Sequence, residues 1–117
     1  MKKVNLVLAV VWVTVIAFLG VGCGNSERNA AQNLAKTDTV FIENMQFVPS
    51  QISIHKGDEI IWFNKGIVGH NVTDVESQSW TSGNIEPGSS WKMKPNESIQ
   101  YFCTIHPTMK GSVTLIE

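Results

Sequence analysis

A chain of 117 residues holds one domain at most, and 9 basic against 10 acidic residues give a formal net charge of −1. That balance excludes the basic surface that nucleic-acid binding requires, and Lys56, Lys65, Lys92, Lys94 and Lys110 are scattered rather than clustered. The two cysteines, Cys23 and Cys103, fall on either side of a change in composition, so the part rich in core-forming residues has a single thiol and no disulfide framework.

The chain opens with Lys2 and Lys3, followed by an apolar run from Val4 to Val21 broken only by Asn5, Thr14 and Gly20. A basic start and an apolar stretch are the layout of a secretory signal. The segment ends in Gly20-Val21-Gly22-Cys23, which resembles a bacterial lipoprotein signal; the resemblance implies lipidation of Cys23 as the first residue of the mature protein. Two other readings stay open: an uncleaved anchor, since about 18 apolar residues can span a bilayer, and ordinary secretion. All three place the domain outside the cytoplasm, periplasmic or at the cell surface. Without Lys2 and Lys3, seven basic residues face ten acidic ones, a net charge of −3.

Residues 1–22 are therefore read as signal or anchor, and 23–38, polar and poor in core-forming residues, as a tether. A domain is expected over 39–117, and its pattern is all-β. Gln51–His55 alternates, with Ile52 and Ile54 on one face, and Lys56-Gly57-Asp58 supplies a turn. Glu59–Phe63 is apolar on both faces and is expected in the middle of a sheet. Further short strands are expected near 40–43, 71–75, 89–93, 99–103 and 113–116, separated by Gly66, Gly69, Gly83, Pro87-Gly88 and Pro95-Asn96. This spacing predicts a β-sandwich or barrel. Its core is expected from Ile42, Phe47, Ile52, Ile54, Ile60, Trp62, Val72, Trp91, Ile99, Tyr101, Val113 and Leu115, with Trp80 in a loop and open to exposure.

Alternation over 99–103 turns Ile99, Tyr101 and Cys103 toward the core, so the thiol points inward at a strand end. Pro107 and Gly111 discourage continuation as strand, and a curled loop returns His106 and Met109 to the sulfur. A thiolate, an imidazole and a weak thioether suit copper, and a blue-copper site takes two His and one Cys in a plane with a long axial Met. A structural zinc site would instead complete a tetrahedron with stronger donors than a thioether. The second His is either His55, on the polar face of its strand, or His70, after the Gly66–Gly69 loop; His70 is the better placed and His55 is assigned to the surface.

The residues resemble the cupredoxins, type 1 blue-copper proteins, and among them the amicyanin-like and plastocyanin-like group. The resemblance runs through Met45-Gln-Phe47-Val-Pro49, Ile52–Asp58, Ile60–Asn64, Gly69-His70-Asn71-Val72, Ser82–Gly88 and Tyr101–Gly111. It implies a two-sheet Greek-key β-sandwich, one copper ion on His70, Cys103, His106 and Met109, and a tie from the Asn71 side chain to Thr104. It also implies that His106 presents its ring edge to solvent within an apolar docking patch of Ile67, Val68, Ile105 and Pro107. Asp74, Glu76 and Glu86 are candidates for steering a basic partner. The function so implied is one-electron transfer between extracytoplasmic redox proteins (cytochrome, dehydrogenase or copper reductase) by a monomer that is not an enzyme. Only His55 is spare for the further copper centres of an oxidase or nitrite reductase. Copper delivery or buffering on the same fold is the competing reading; such proteins favour Met-rich or His-rich open sites, whereas Met1, Met45, Met93 and Met109 are dispersed.

Overall fold

The computed structural model describes residues 34–117; the signal or anchor over 1–22, lipidation at Cys23 and most of the 23–38 tether lie outside the described residues. Among those described, no helix is long and apolar enough to cross a membrane. Eight strands form: β1 (Thr37–Glu43), β2 (Gln46–Val48), β3 (Gln51–His55), β4 (Glu59–Asn64), β5 (Thr73–Asp74), β6 (Ser90–Met93), β7 (Ile99–Phe102) and β8 (Lys110–Ile116). They make two four-stranded sheets, ordered β2-β1-β4-β6 and β3-β8-β7-β5. Both sheets are mixed, with β1 parallel to β4 and β3 parallel to β8. This is the expected two-sheet Greek-key sandwich.

The strand β4 lies inside its sheet, as its two apolar faces predict, paired with β1 and β6. Ile60, Trp62 and Asn64 point into the core, while Ile61 and Phe63 are half-buried on the outer face, where Phe63 meets Phe41 edge-on at 6.4 Å. The strand β2, absent from the sequence reading, forms because Asn44 and Met45 take left-handed φ values of 50° and 60° and fold Gln46–Val48 back on β1. A two-residue turn with positive φ at both positions matches the twist of a hairpin.

The core contains nine of the expected residues buried; Ile52, Trp91 and Leu115 pack on its margin, and Val40, Ile85, Cys103 and Met109 complete it. Trp62 packs edge-on against Tyr101 at 5.3 Å and tilts over Trp91 at 5.4 Å. Trp80 is half-buried, stacked on Trp91 at 6.1 Å rather than left in solvent, because stacking removes its apolar face from water. Gly111 is required where the Tyr101 ring crosses β8, since a Cβ there would overlap the ring. The Tyr101 hydroxyl and the Trp62 indole N–H face one another without making a well-formed hydrogen bond, and neither has another partner among the described residues. Burial pushes the Tyr101 phenol up to about 12.

The parallel β1/β4 register defines two poles. Thr37 pairs with Glu59 at one, and Ile42 pairs with Asn64 at the other. Asp58, buried at the first pole, accepts hydrogen bonds from the backbone N–H groups of Lys36 (2.8 Å) and His55 (2.9 Å). These bonds hold its carboxyl below the usual carboxylate range and fasten the chain's entry to the β3–β4 turn. Asn64 ends β4 at the second pole and leads into the loop that carries His70.

Candidate metal centre

At that second pole three elements converge. Cys103 follows the last residue of β7 and is fully buried, as the alternation Ile99, Tyr101, Cys103 predicts. The ladder stops at Phe102 because the Cys103 N–H turns to the Met109 carbonyl at 3.1 Å, and the Met109 N–H bonds the His106 carbonyl at 2.9 Å. Residues 103–109 are thereby closed into a loop. His70 comes from the other side, held by paired backbone bonds with Ile85 of 3.2 and 2.7 Å.

The side chains meet in one triangle. Cys103 Sγ lies 3.9 Å from His70 Nδ1 and 3.8 Å from His106 Nδ1, and the two Nδ1 atoms lie 3.2 Å apart. A point equidistant from all three lies about 2.1 Å from each, close to metal–nitrogen bonding distances of 2.0–2.1 Å. His70 is 1 % exposed, and burial, reinforced by the neighbouring His106, holds its ring below the usual histidine range. A neutral ring offers one nitrogen lone pair to a metal. Met109, also buried, supplies a thioether in the same loop. One thiolate and two imidazoles brought together, with a buried thioether in the same loop, fit one copper ion.

The surroundings constrain this set. The Asn71 backbone N–H approaches Cys103 Sγ at 3.5 Å. Its side chain donates to Thr104 Oγ1 at 2.7 Å and accepts from the Thr104 N–H at 2.9 Å and the Thr73 hydroxyl at 3.0 Å. His55 lies at the opposite pole, exposed, with its ring 3.9 Å from Asp58. Ile67, Val68, Ile105 and Pro107 are exposed beside the two histidine loops, Ile67 at 93 %. His106 is half-exposed between Ile105 and Pro107. The Asp74 carboxylate accepts from the Ser77 N–H and hydroxyl and from the Ser79 hydroxyl, and these bonds hold it down at about 2. Glu76 and Glu86 are exposed. Sequence reasoning passed over Asn64 and Ile85, which brace the His70 loop; an asparagine closing an apolar strand was the one available signal.

Comparison with known proteins places the chain among copper-binding proteins. Residues 35–116 match the model of the copper-binding plastocyanin/azurin family. The chain is 30% identical over 90 residues to amicyanin of Paracoccus versutus, covering 72% of this chain and 68% of that protein. Among solved structures it is similar in fold to a reduced Cu(I) amicyanin variant, with a TM-score of 0.63 and 24% identity over 74% of this chain and 89% of that one. A purple cupredoxin from Nitrosopumilus maritimus gives a TM-score of 0.60 at 20% identity, covering 68% of this chain and 99% of that one. A copper-containing nitrite reductase from Thermus scotoductus gives 0.63 at 20% identity over 69% of this chain, which spans only 22% of the reductase.

Proposed function

The chain belongs to the plastocyanin/azurin family of copper-binding proteins, and from that premise we propose that it carries single electrons between extracytoplasmic redox proteins. The observation that carries this reading is the triangle of Cys103 Sγ, His70 Nδ1 and His106 Nδ1. Bound copper would supply a one-electron couple, and His70, Cys103, His106 and Met109 are the residues that would hold it. The protein's part is to hold those donors still. Cys103 is fixed by β7 and the Met109 carbonyl, His70 by its pairing with Ile85, and the two loops are joined through Asn71 and Thr104. A donor set held this way changes little between oxidation states, which favours rapid transfer.

Electron entry and exit are assigned to the half-exposed edge of His106, within the apolar patch of Ile67, Val68, Ile105 and Pro107. A patch of this size suits a brief encounter. The role proposed is that of a carrier rather than a multicopper enzyme, because His55, the remaining histidine, lies at the far pole and is not placed to serve a second centre; a monomer is proposed with it. Membrane tethering through Cys23 or the 1–22 segment rests on the sequence pattern alone.

The test is to add one equivalent of Cu(II) to the metal-free protein and cycle it with reductant and oxidant. A strong thiolate-to-copper absorption that bleaches and returns, with copper retained against a chelator, supports the carrier. A colourless complex that yields its copper readily would favour delivery or buffering and refute the proposal.

A further inference from the structure

Asn64 is the last residue of β4, and its side chain is fully buried among groups that lead to His70. Its Nδ2 donates to the Val68 carbonyl at 2.8 Å and to the Ile85 carbonyl at 2.9 Å, and its Oδ1 accepts from the Gly66 N–H at 2.8 Å. Both amide hydrogens are thus used, and each partner bears on the same imidazole. Gly66 and Val68 are the second and fourth residues of the five-residue loop that delivers His70, and Ile85 is its backbone pairing partner. The main chain of Asn64 is equally engaged, its N–H on the Ser89 carbonyl at 2.9 Å and its carbonyl on the Gly88 N–H at 2.8 Å. The amide is therefore anchored to the sheet and reaches outward, the direction in which a brace transmits rigidity.

We propose that Asn64 is the positioning residue for His70, holding its Nδ1 in the triangle with Cys103 Sγ and His106 Nδ1; this rests on the copper-carrier reading above. Apart from Asn64, the loop is tied at its start by the Lys65 N–H on the Ile42 carbonyl at 2.9 Å, while Ile67 and Val68 are exposed and bury little. Gly66 belongs to the same device. A Cβ there would stand 3.1 Å from Asn64 Oδ1 and 3.6 Å from His70 Nε2, so the amide, the glycine and the imidazole are in mutual packing contact. A buried side chain that satisfies three backbone groups at once leaves them all without partners when it is removed.

The experiment compares full-length wild type, Asn64→Leu, Gly66→Ala and Ile54→Val, each loaded with one equivalent of Cu(II). Asn64→Leu keeps size and neutrality while deleting all three bonds. Gly66→Ala keeps the bonds and crowds both Asn64 Oδ1 and His70 Nε2. Ile54→Val lowers stability from the core near the opposite pole and supplies the reference for mere destabilisation. The expected result is an altered ratio of the visible bands, an altered copper hyperfine splitting and at least tenfold faster loss of copper to a chelator in both site variants, with the Ile54→Val spectrum unchanged. In the metal-free protein, hydrogen exchange at the Gly66 N–H should accelerate at least tenfold in Asn64→Leu. If Asn64→Leu does not fold, Gly66→Ala decides. A wild-type spectrum in the folded, loaded site variants would overturn the inference while leaving the carrier reading intact. Absence of the thiolate band in the wild type would instead overturn the carrier reading itself.

Discussion

Replacing Asn71 by Ala should loosen the junction between the two ligand loops by a calculable amount. The substitution removes three hydrogen bonds, to Thr104 Oγ1, the Thr104 N–H and the Thr73 hydroxyl. Each contributes about 1 kcal/mol net. Thr104 is exposed, so water recovers part of its loss, and the Thr73 hydroxyl keeps its bond to Thr81 at 2.8 Å. The expected cost to the metal-free protein is therefore about 2 kcal/mol rather than three full bonds. Thr104→Val deletes the hydroxyl alone and should cost about 1 kcal/mol, and a double-mutant cycle should return a coupling of about 1 kcal/mol. Urea denaturation of the four metal-free proteins measures these terms. The backbone N–H of Asn71 still faces Cys103 Sγ in both variants, so the copper band should persist while copper loss to a chelator quickens about tenfold. Additive effects within about 0.3 kcal/mol, or unchanged copper retention, would refute the tie between the loops.

Three further outcomes are expected. Tyr101→Phe removes a buried hydroxyl that makes no well-formed hydrogen bond, so urea denaturation should show stability unchanged or raised by up to about 1 kcal/mol; a loss above about 1.5 kcal/mol would reveal a bond to that hydroxyl. Asp74 titrates at about 2 in the folded protein against an ordinary 3.8, so its contribution is complete above about pH 4 and is lost as pH falls toward 2. Over that window the stability of Asp74→Asn should fall less steeply than that of the wild type, and parallel curves would contradict the assignment. Met109→Leu keeps the core volume, so the fold and the thiolate band should survive. Loss of a donor that favours Cu(II) should raise the reduction potential, read by voltammetry; an unchanged potential would remove Met109 from the ligand set.

The metal centre was legible in sequence to the degree that it is local. Cys103, His106 and Met109 fall within seven residues, and strand alternation alone turns the thiol inward. His70 was reachable because a chain with three histidines offers few alternatives, and a glycine-bracketed loop marks a pole of the sandwich. Less local features were harder to read. The hairpin at Asn44-Met45 was missed because its second position carries Met where such turns favour glycine. The expected strand over 71–75 shrinks to Thr73–Asp74 because Val72 bonds Ser82 through both its N–H and its carbonyl, rather than a β-ladder partner. Asp74 looked like surface charge, yet the serines that follow fold back on it. Asn64 closes an apolar strand, but its role appears only when two backbone groups of the following loop and the carbonyl of Ile85, 21 residues away, are seen around one amide.

The central claim is that Cys103, His70 and His106 share one copper ion. Its most direct test is the visible and EPR spectrum of Cu(II)-loaded wild type beside Cys103→Ser. An intense thiolate-to-copper band at one copper per chain, absent from Cys103→Ser, is the predicted result. Persistence of that band in Cys103→Ser, or its absence from the copper-loaded wild type, would contradict the account.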